Sequence, residues 1–262
     1  MSGFQLSNDA PTAYSDFAIH IMAPWTDDLI MQGLCKDGNR VLDLACGTGF
    51  VADRVNQVSN AKCDVVGVDI NAAMLDVARR NAFIEWHLAS AAALPFVDGS
   101  FDVVLCQQGL QFFPDRGAAM KEIARVLKPG GRVSLNVWGA LHRQVFHSAF
   151  VDGISIFLGA EAKATFDTAF SLNTVDSLRG LASEAGLQNI RIRFEQRTMR
   201  HPSAAELADG FMRATPLAGH FGALPAEKRN AFAVYVSERL CDYVDDSGLA
   251  APMENHFLTA TR

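Results

Sequence analysis

VLDLACGTGF, residues 41–50, decides how this chain is read. Val41, Leu42 and Leu44 describe a buried strand, yet an acid, Asp43, interrupts the apolar run, and the alternation ends at Cys46, where the chain must turn. Gly47 and Gly49 follow, and bare backbone at those positions lets a ligand approach closely and starts the next helix without a side chain in the way. A strand leaving through a glycine loop into a helix is the opening of an α/β unit.

Outward from this stretch the pattern repeats. Short runs rich in Val, Leu and Ile predict strands at 40–45, 63–69, 84–88, 102–106 and 132–138, with helices between them at 49–58, 72–82 and 116–127. Asn71 is placed to cap the second helix, Asp98-Gly99 to turn before the fourth strand, and Lys128 to Gly131 to end a helix and aim the chain into the fifth strand. Such alternation predicts a doubly wound, mostly parallel sheet. The second half reads differently: a mixed segment to about Phe170, a helix over 174–185, a strand over 190–199, two helical pieces over 203–244 and a final strand over 254–261. Phe232, Val236 and Leu240 make an apolar stripe in the second piece. The helical insertion of about 50 residues between the last two strands is expected to cap the sheet's ligand-binding edge.

The 262 residues fit one domain: a helical N-terminal cover (1–37), a core (38–138), completion of the sheet (139–202), the helical cap (203–250) and a last strand (251–262). Hydrophobic residues are 49% and charged ones 20%, too apolar for a disordered chain. A net charge of −6 without any basic run argues against nucleic acid and against an anionic membrane surface, both of which need a basic footprint. Five scattered cysteines with no CxxC spacing read as buried, reduced thiols and indicate no metal site. The start, MSGFQLSNDAP, lacks the basic and apolar segments of a signal peptide, and no apolar stretch has spanning length, so a cytoplasmic protein is expected.

Two chemistries compete for the loop. Gly47 to Ala52 fits the dinucleotide pattern G-x-G-x-x-G/A, and Asp69 follows Gly49 by twenty residues, the spacing of an acid that contacts a ribose hydroxyl. Asp43 separates them: a carboxylate beside the loop repels a pyrophosphate but attracts a ligand carrying an ammonium and a sulfonium. With VLDLACGTGFVA, VVGVDINAAML, ALPFVDGSFDVVLCQQGLQFFPD and RVLKPGGRVSLNVW in this order over residues 38–138, the chain resembles class I S-adenosylmethionine-dependent methyltransferases. It is closest in style to small-molecule enzymes with a type 11 methyltransferase domain, similar to the ubiquinone and menaquinone C-methyltransferases.

The resemblance implies a seven-stranded Rossmann-like sheet and S-adenosylmethionine as cofactor, with S-adenosylhomocysteine as product. It implies Asp43, Ala45, Gly47 and Gly49 around the methionyl end, with Ala45 where many relatives have glycine. Asp69 would accept from the ribose hydroxyls, Ile70 and Met74 would flank the adenine, Ser90 and Ala91 would meet its edge, and Gln107 would offer its backbone carbonyl to the ammonium. Relatives usually carry Asp where Ser90 stands, and Met74 reads equally well as helix core. Phe112 to Asp115 is assigned to packing and a helix start rather than to chemistry.

The expected acceptor is a small, apolar or aromatic molecule, methylated on oxygen, nitrogen or carbon. After the fourth strand stand Gln107-Gln108-Gly109-Leu110 rather than the N/D-P-P-Y/F/W of amino-methylating DNA enzymes. Tyr14, Phe17, Met22 and Trp25 are candidates for a cover over the cofactor, and Trp138 for the pocket wall. His142 is the candidate base, with His147, His220 and His256 as further possibilities, although in-line transfer from a sulfonium does not require a base. Two rivals stand beside this reading: a nicotinamide-dependent oxidoreductase, and a methyltransferase-like partner protein without turnover.

Overall fold

The computed structural model describes Leu6 and residues 9–262, so part of the expected N-terminal cover (1–5, 7 and 8) lies outside the described residues. The strands are β1 (Arg40–Leu44), β2 (Asp64–Asp69), β3 (Glu85–Leu88), β4 (Phe101–Gln107), β5 (Leu127–Trp138), β6 (Gln188–His201), β7 (Val244–Asp245) and β8 (Gly248–Thr261). They form one sheet in the order β3-β2-β1-β4-β5-β8-β6, with the two-residue β7 added onto β8. All pairs from β3 to β5 are parallel, whereas β8 runs antiparallel between β5 and β6. The order reverses at β1 and β4, whose carboxyl ends therefore open a crevice for a ligand.

Alternation within the strands explains the odd acid. Val41, Val103 and Leu105 face one apolar layer, packed by α2 (Ile19–Gly33) and α3 (Phe50–Val58). Leu42, Leu44, Val104 and Cys106 face the other, packed by α5 (Arg116–Val126) and α8 (Val175–Glu184). Asp43 shares the face of Val41 and reaches α3, where its Oδ2 accepts from Ala52 N–H at 3.0 Å. Gly49 caps α3 at φ +89°, and a Cβ there would stand 2.6 Å from the Trp86 ring. A Cβ on Gly67 would meet the same ring at 2.3 Å, so both glycines make room for Trp86.

Helix starts follow the capping signals. Asn71 accepts from Ala73 N–H at 3.0 Å at the head of α4 (Ala72–Ala78), which is one turn shorter than the 72–82 pattern predicts. Asp115, not Pro114, caps α5 by accepting from Ala118 N–H at 2.8 Å. Lys128 to Gly131 belongs to β5 rather than to a free turn: the register shifts against β4, Gly130 sits at φ +77°, and its N–H donates to Arg262 O at 3.1 Å.

The cap has two sources. The mixed segment after β5 is helical, as α6 (Val145–Phe157) and α7 (Ala160–Asp167), and packs on α9 (Ala204–Arg213) and α11 (Ala226–Arg239) from the insertion between β6 and β8, where α10 (Ala218–Gly222) packs on α9. Phe150 joins them, with ring centroids 5.1 Å from Phe211 and 5.5 Å from Phe232. The cover begins as α1 (Ala10–Ala13), passes through a π-helical turn (Tyr14–Ala18) and continues as α2. No helix among the described residues is long and apolar enough to cross a membrane.

Candidate active site

At the carboxyl ends of β1, β2 and β4 two acids converge on one loop. Asp69 accepts from Gly47 N–H through Oδ2 and from Asn71 N–H through Oδ1, both at 2.8 Å, so it sets the shape of the glycine loop. Asp43 is 1% exposed; one carboxylate oxygen is bound by Ala52 N–H, and the other, Oδ1, has no partner among the described residues. Burial pushes its carboxyl up to about 7, against the Ala52 N–H and with help from the charges of Asp69 and Asp53. Burial raises Asp69 as well, opposed by the backbone N–H groups of Asn71, Gly47 and Ile70. The backbone between them is strained toward close approach: Ala45 lies at φ +58°, where glycine is favoured, and Gly47 at φ +56°.

A cavity of about 250 Å³ opens on this loop. It is bordered by Asp69, Ile70, Met74 and Ala89 to Ala92, by Tyr14, Ala45, Gly47 and Gln107, and by Trp138, Phe166, Phe170 and Phe211. A smaller one of about 50 Å³ adjoins it through Tyr14, Met22, Ala45, Gly47 and Gln107, and Asp43 lines this one. Tyr14 belongs to both, and burial together with the charge of Asp69 holds its phenol above its ordinary range. The cover is tied down by Gln107, whose Nε2 donates to Met22 O and whose Oε1 accepts from Thr26 Oγ1, each at 2.9 Å. Asn71 Nδ2 holds the other end, donating to Leu6 O at 2.9 Å.

The expected site residues divide clearly. Ala45, Gly47, Asp69, Ile70, Met74, Ser90, Ala91, Gln107, Tyr14 and Trp138 line the main cavity, and Asp43 the smaller one. The Ser90 hydroxyl accepts from Ala92 N–H at 3.2 Å, a local turn contact. Gly49 lines neither, being occupied with Trp86. Trp25 is wholly buried behind the wall, 6.3 Å from Trp138 in an edge-to-face contact, and Phe17 packs against Gly210 and under Arg213. Both support the pocket from outside. His142 is exposed on a 3₁₀ turn (Leu141–Arg143) and lies off the cavity; one helical stretch later, His147 lines it. Phe112 to Asp115, assigned to packing from the sequence, also border the cavity, as do Gln108 and Gly109. The two phenylalanines do both jobs, which an apolar ring next to a loop proline cannot signal by type alone.

This scaffold, with an acid-flanked glycine loop at the switch point and an antiparallel strand before the edge, has the architecture expected from the resemblance to class I methyltransferases. Residues 42–135 match the family described as methyltransferase domain. The chain is 35% identical over 126 residues to the 2-phytyl-1,4-naphtoquinone methyltransferase of Synechococcus elongatus, covering 45% of this chain and 53% of that one. It is 40% identical over 116 residues to a ubiquinone/menaquinone biosynthesis C-methyltransferase of Coxiella burnetii, covering 42% and 46%. The matches thus span about half the length of these relatives. In structure it resembles Haemonchus contortus phosphoethanolamine N-methyltransferase 2 in complex with S-adenosyl-L-methionine, with TM-score 0.61 and 19% identity over 96% of this chain and 57% of that one. It also resembles the YcgJ protein of Bacillus subtilis, with TM-score 0.60 and 19% identity over 90% and 97%.

Proposed function

We propose that this protein transfers a methyl group from S-adenosylmethionine to a small, neutral, apolar or aromatic acceptor. One observation carries the reading: the carboxyl groups of Asp43, buried, and Asp69, half-buried, flank the bare loop, and Asp43 keeps an oxygen without a partner among the described residues. Two acids that already take amides of the loop and of the helix behind it suit a cationic ligand and oppose a pyrophosphate, which disfavours the nicotinamide reading.

The chain's residues fit the cofactor. Asp43, Ala45 and Gly47 would hold the methionyl end, Asp69 the ribose, and Ile70, Met74, Ser90 and Ala91 the adenine, with Gln107 beside the ammonium. When bound, the group supplies a methyl on a sulfonium with its leaving group in place. What is left for the protein is to align the acceptor, exclude water and accept a proton where the acceptor has one to lose. Trp138, Phe166, Phe170 and Phe211 supply a dry wall for a flat acceptor, and the quinone-methylating relatives favour a ring-shaped one. The open cavity supports turnover over a purely assembling role, in which rings would fill it.

Calorimetry with S-adenosylmethionine, S-adenosylhomocysteine and NAD tests this. Binding of the two sulfur ligands alone is the expected outcome; binding of NAD alone overturns the reading.

A further inference from the structure

We propose that His147 on α6 and Gln108 after β4 are the residues that select the acceptor, by gripping one uncharged oxygen function on a ring held between aromatic side chains. This rests on the methyl-transfer reading and names what that site recognises. Both line the main cavity, and both are buried, at 2% and 5% exposure.

Gln108 is anchored by hydrogen bonds at its backbone and at its side chain. Its backbone sits at φ +55°, and its N–H donates to Asn136 O at 3.0 Å. Its Oε1 accepts from Gln111 Nε2 at 2.8 Å, which leaves Nε2 as the free end of the amide, buried and without a partner among the described residues. A buried donor in that state gains a full hydrogen bond from any ligand oxygen that reaches it.

His147 sits in an aromatic box. Its ring centroid is 4.8 Å from Trp138, 5.4 Å from Phe170, 5.5 Å from Phe146 and 5.9 Å from Phe211, and its Nδ1 has no partner among the described residues. Among the described residues no carboxylate pairs with it, and burial holds its pKa down at about 3. A neutral imidazole offers one accepting nitrogen and one donor. A hydroxyl carries both functions these residues lack, a proton for the imidazole nitrogen and a lone pair for the Gln108 amide. The aromatic rings around His147 offer no charge to an amine or a phosphate, and a ring without oxygen leaves two buried polar groups unpaired. That asymmetry is the source of selectivity.

The test uses the full chain saturated with S-adenosylhomocysteine and two probes of one shape, 1-naphthol and 1-methylnaphthalene, titrated by calorimetry. The wild type is expected to prefer 1-naphthol by about tenfold. His147→Phe keeps an aromatic in the box, and Gln108→Met removes the donor at similar volume; each is expected to reduce the preference to about twofold or less. S-adenosylhomocysteine affinity should stay unchanged in both. Equal preference in wild type and variants, or no binding of 1-naphthol, overturns the assignment of these two residues. Failure of S-adenosylhomocysteine to bind the wild type overturns the methyl-transfer reading itself.

Discussion

Cofactor binding should strengthen as pH rises through neutrality, because Asp43 must lose a proton to receive a cation. In the free protein burial holds the carboxyl at about 7. Beside an ammonium and a sulfonium it should ionise near the ordinary carboxylate value of about 4. Linkage between these two values makes S-adenosylmethionine bind about tenfold more weakly at pH 6 than at pH 8, with a proton released on binding at pH 6. The sign for stability follows from the same shift. The folded chain keeps a proton that the unfolded chain has already lost, so the ligand-free protein loses stability as pH rises from about 4 to about 7. Calorimetry at pH 6, 7 and 8, in buffers of different ionisation heat, reads both the affinity and the proton. Asp43→Asn retains an acceptor for Ala52 N–H and removes the charge; it should bind weakly at pH 8 and show no slope. An affinity in the wild type that is flat between pH 6 and 8 refutes the argument, and an unchanged slope in Asp43→Asn transfers the proton to Asp69.

Other substitutions separate binding from folding. Asp69→Ala removes the acceptor for Gly47 N–H and Asn71 N–H and should weaken S-adenosylhomocysteine by about a hundredfold or more, a loss of about 3 kcal/mol, while circular dichroism stays native; an unchanged Kd refutes the ribose assignment. Gly49→Ala combines a positive φ with a Cβ 2.6 Å from Trp86 and should cost about 2–3 kcal/mol in urea denaturation. Ala45→Gly relieves an alanine at φ +58° and should raise stability by about 0.5 kcal/mol in the same assay, with the loop's ligand affinity preserved. His142→Ala should leave turnover and S-adenosylhomocysteine binding as in the wild type, since His142 is exposed off the cavity.

Local signals carried the reading as far as the backbone determines it. The order of strands and helices from 40 to 138, and the acids that flank the loop, are visible because each depends on a residue and its near neighbours: Asp43 breaking an apolar run, Asn71 before a helix, two glycines at a turn. Even there, one glycine carries a constraint that its neighbours in the sequence do not show. Gly49 and Gly67 are bare for the sake of Trp86, a ring that arrives from β3 and leaves no trace beside either glycine in the sequence. The acceptor end was less legible for a reason of the same kind. Its wall is assembled from β5, α6, the 3₁₀ turn at Thr168–Phe170 and α9, segments separated by up to seventy residues. An aromatic residue in any one of them is indistinguishable from ordinary core. His142 and His147 differ by five positions and are equivalent in composition, yet the helical start at Val145 leaves the first in solvent and carries the second into the box. Periodicity separates them only after the cap's packing partner is known, because a face is buried by what lies against it. The site is therefore split by origin: the residues proposed to hold the cofactor come from ordered local motifs between 43 and 107, and those proposed for the acceptor come together by tertiary packing. Methyl donors should bind a chain whose cap is repacked with other apolar residues, whereas acceptor selectivity should not survive that change.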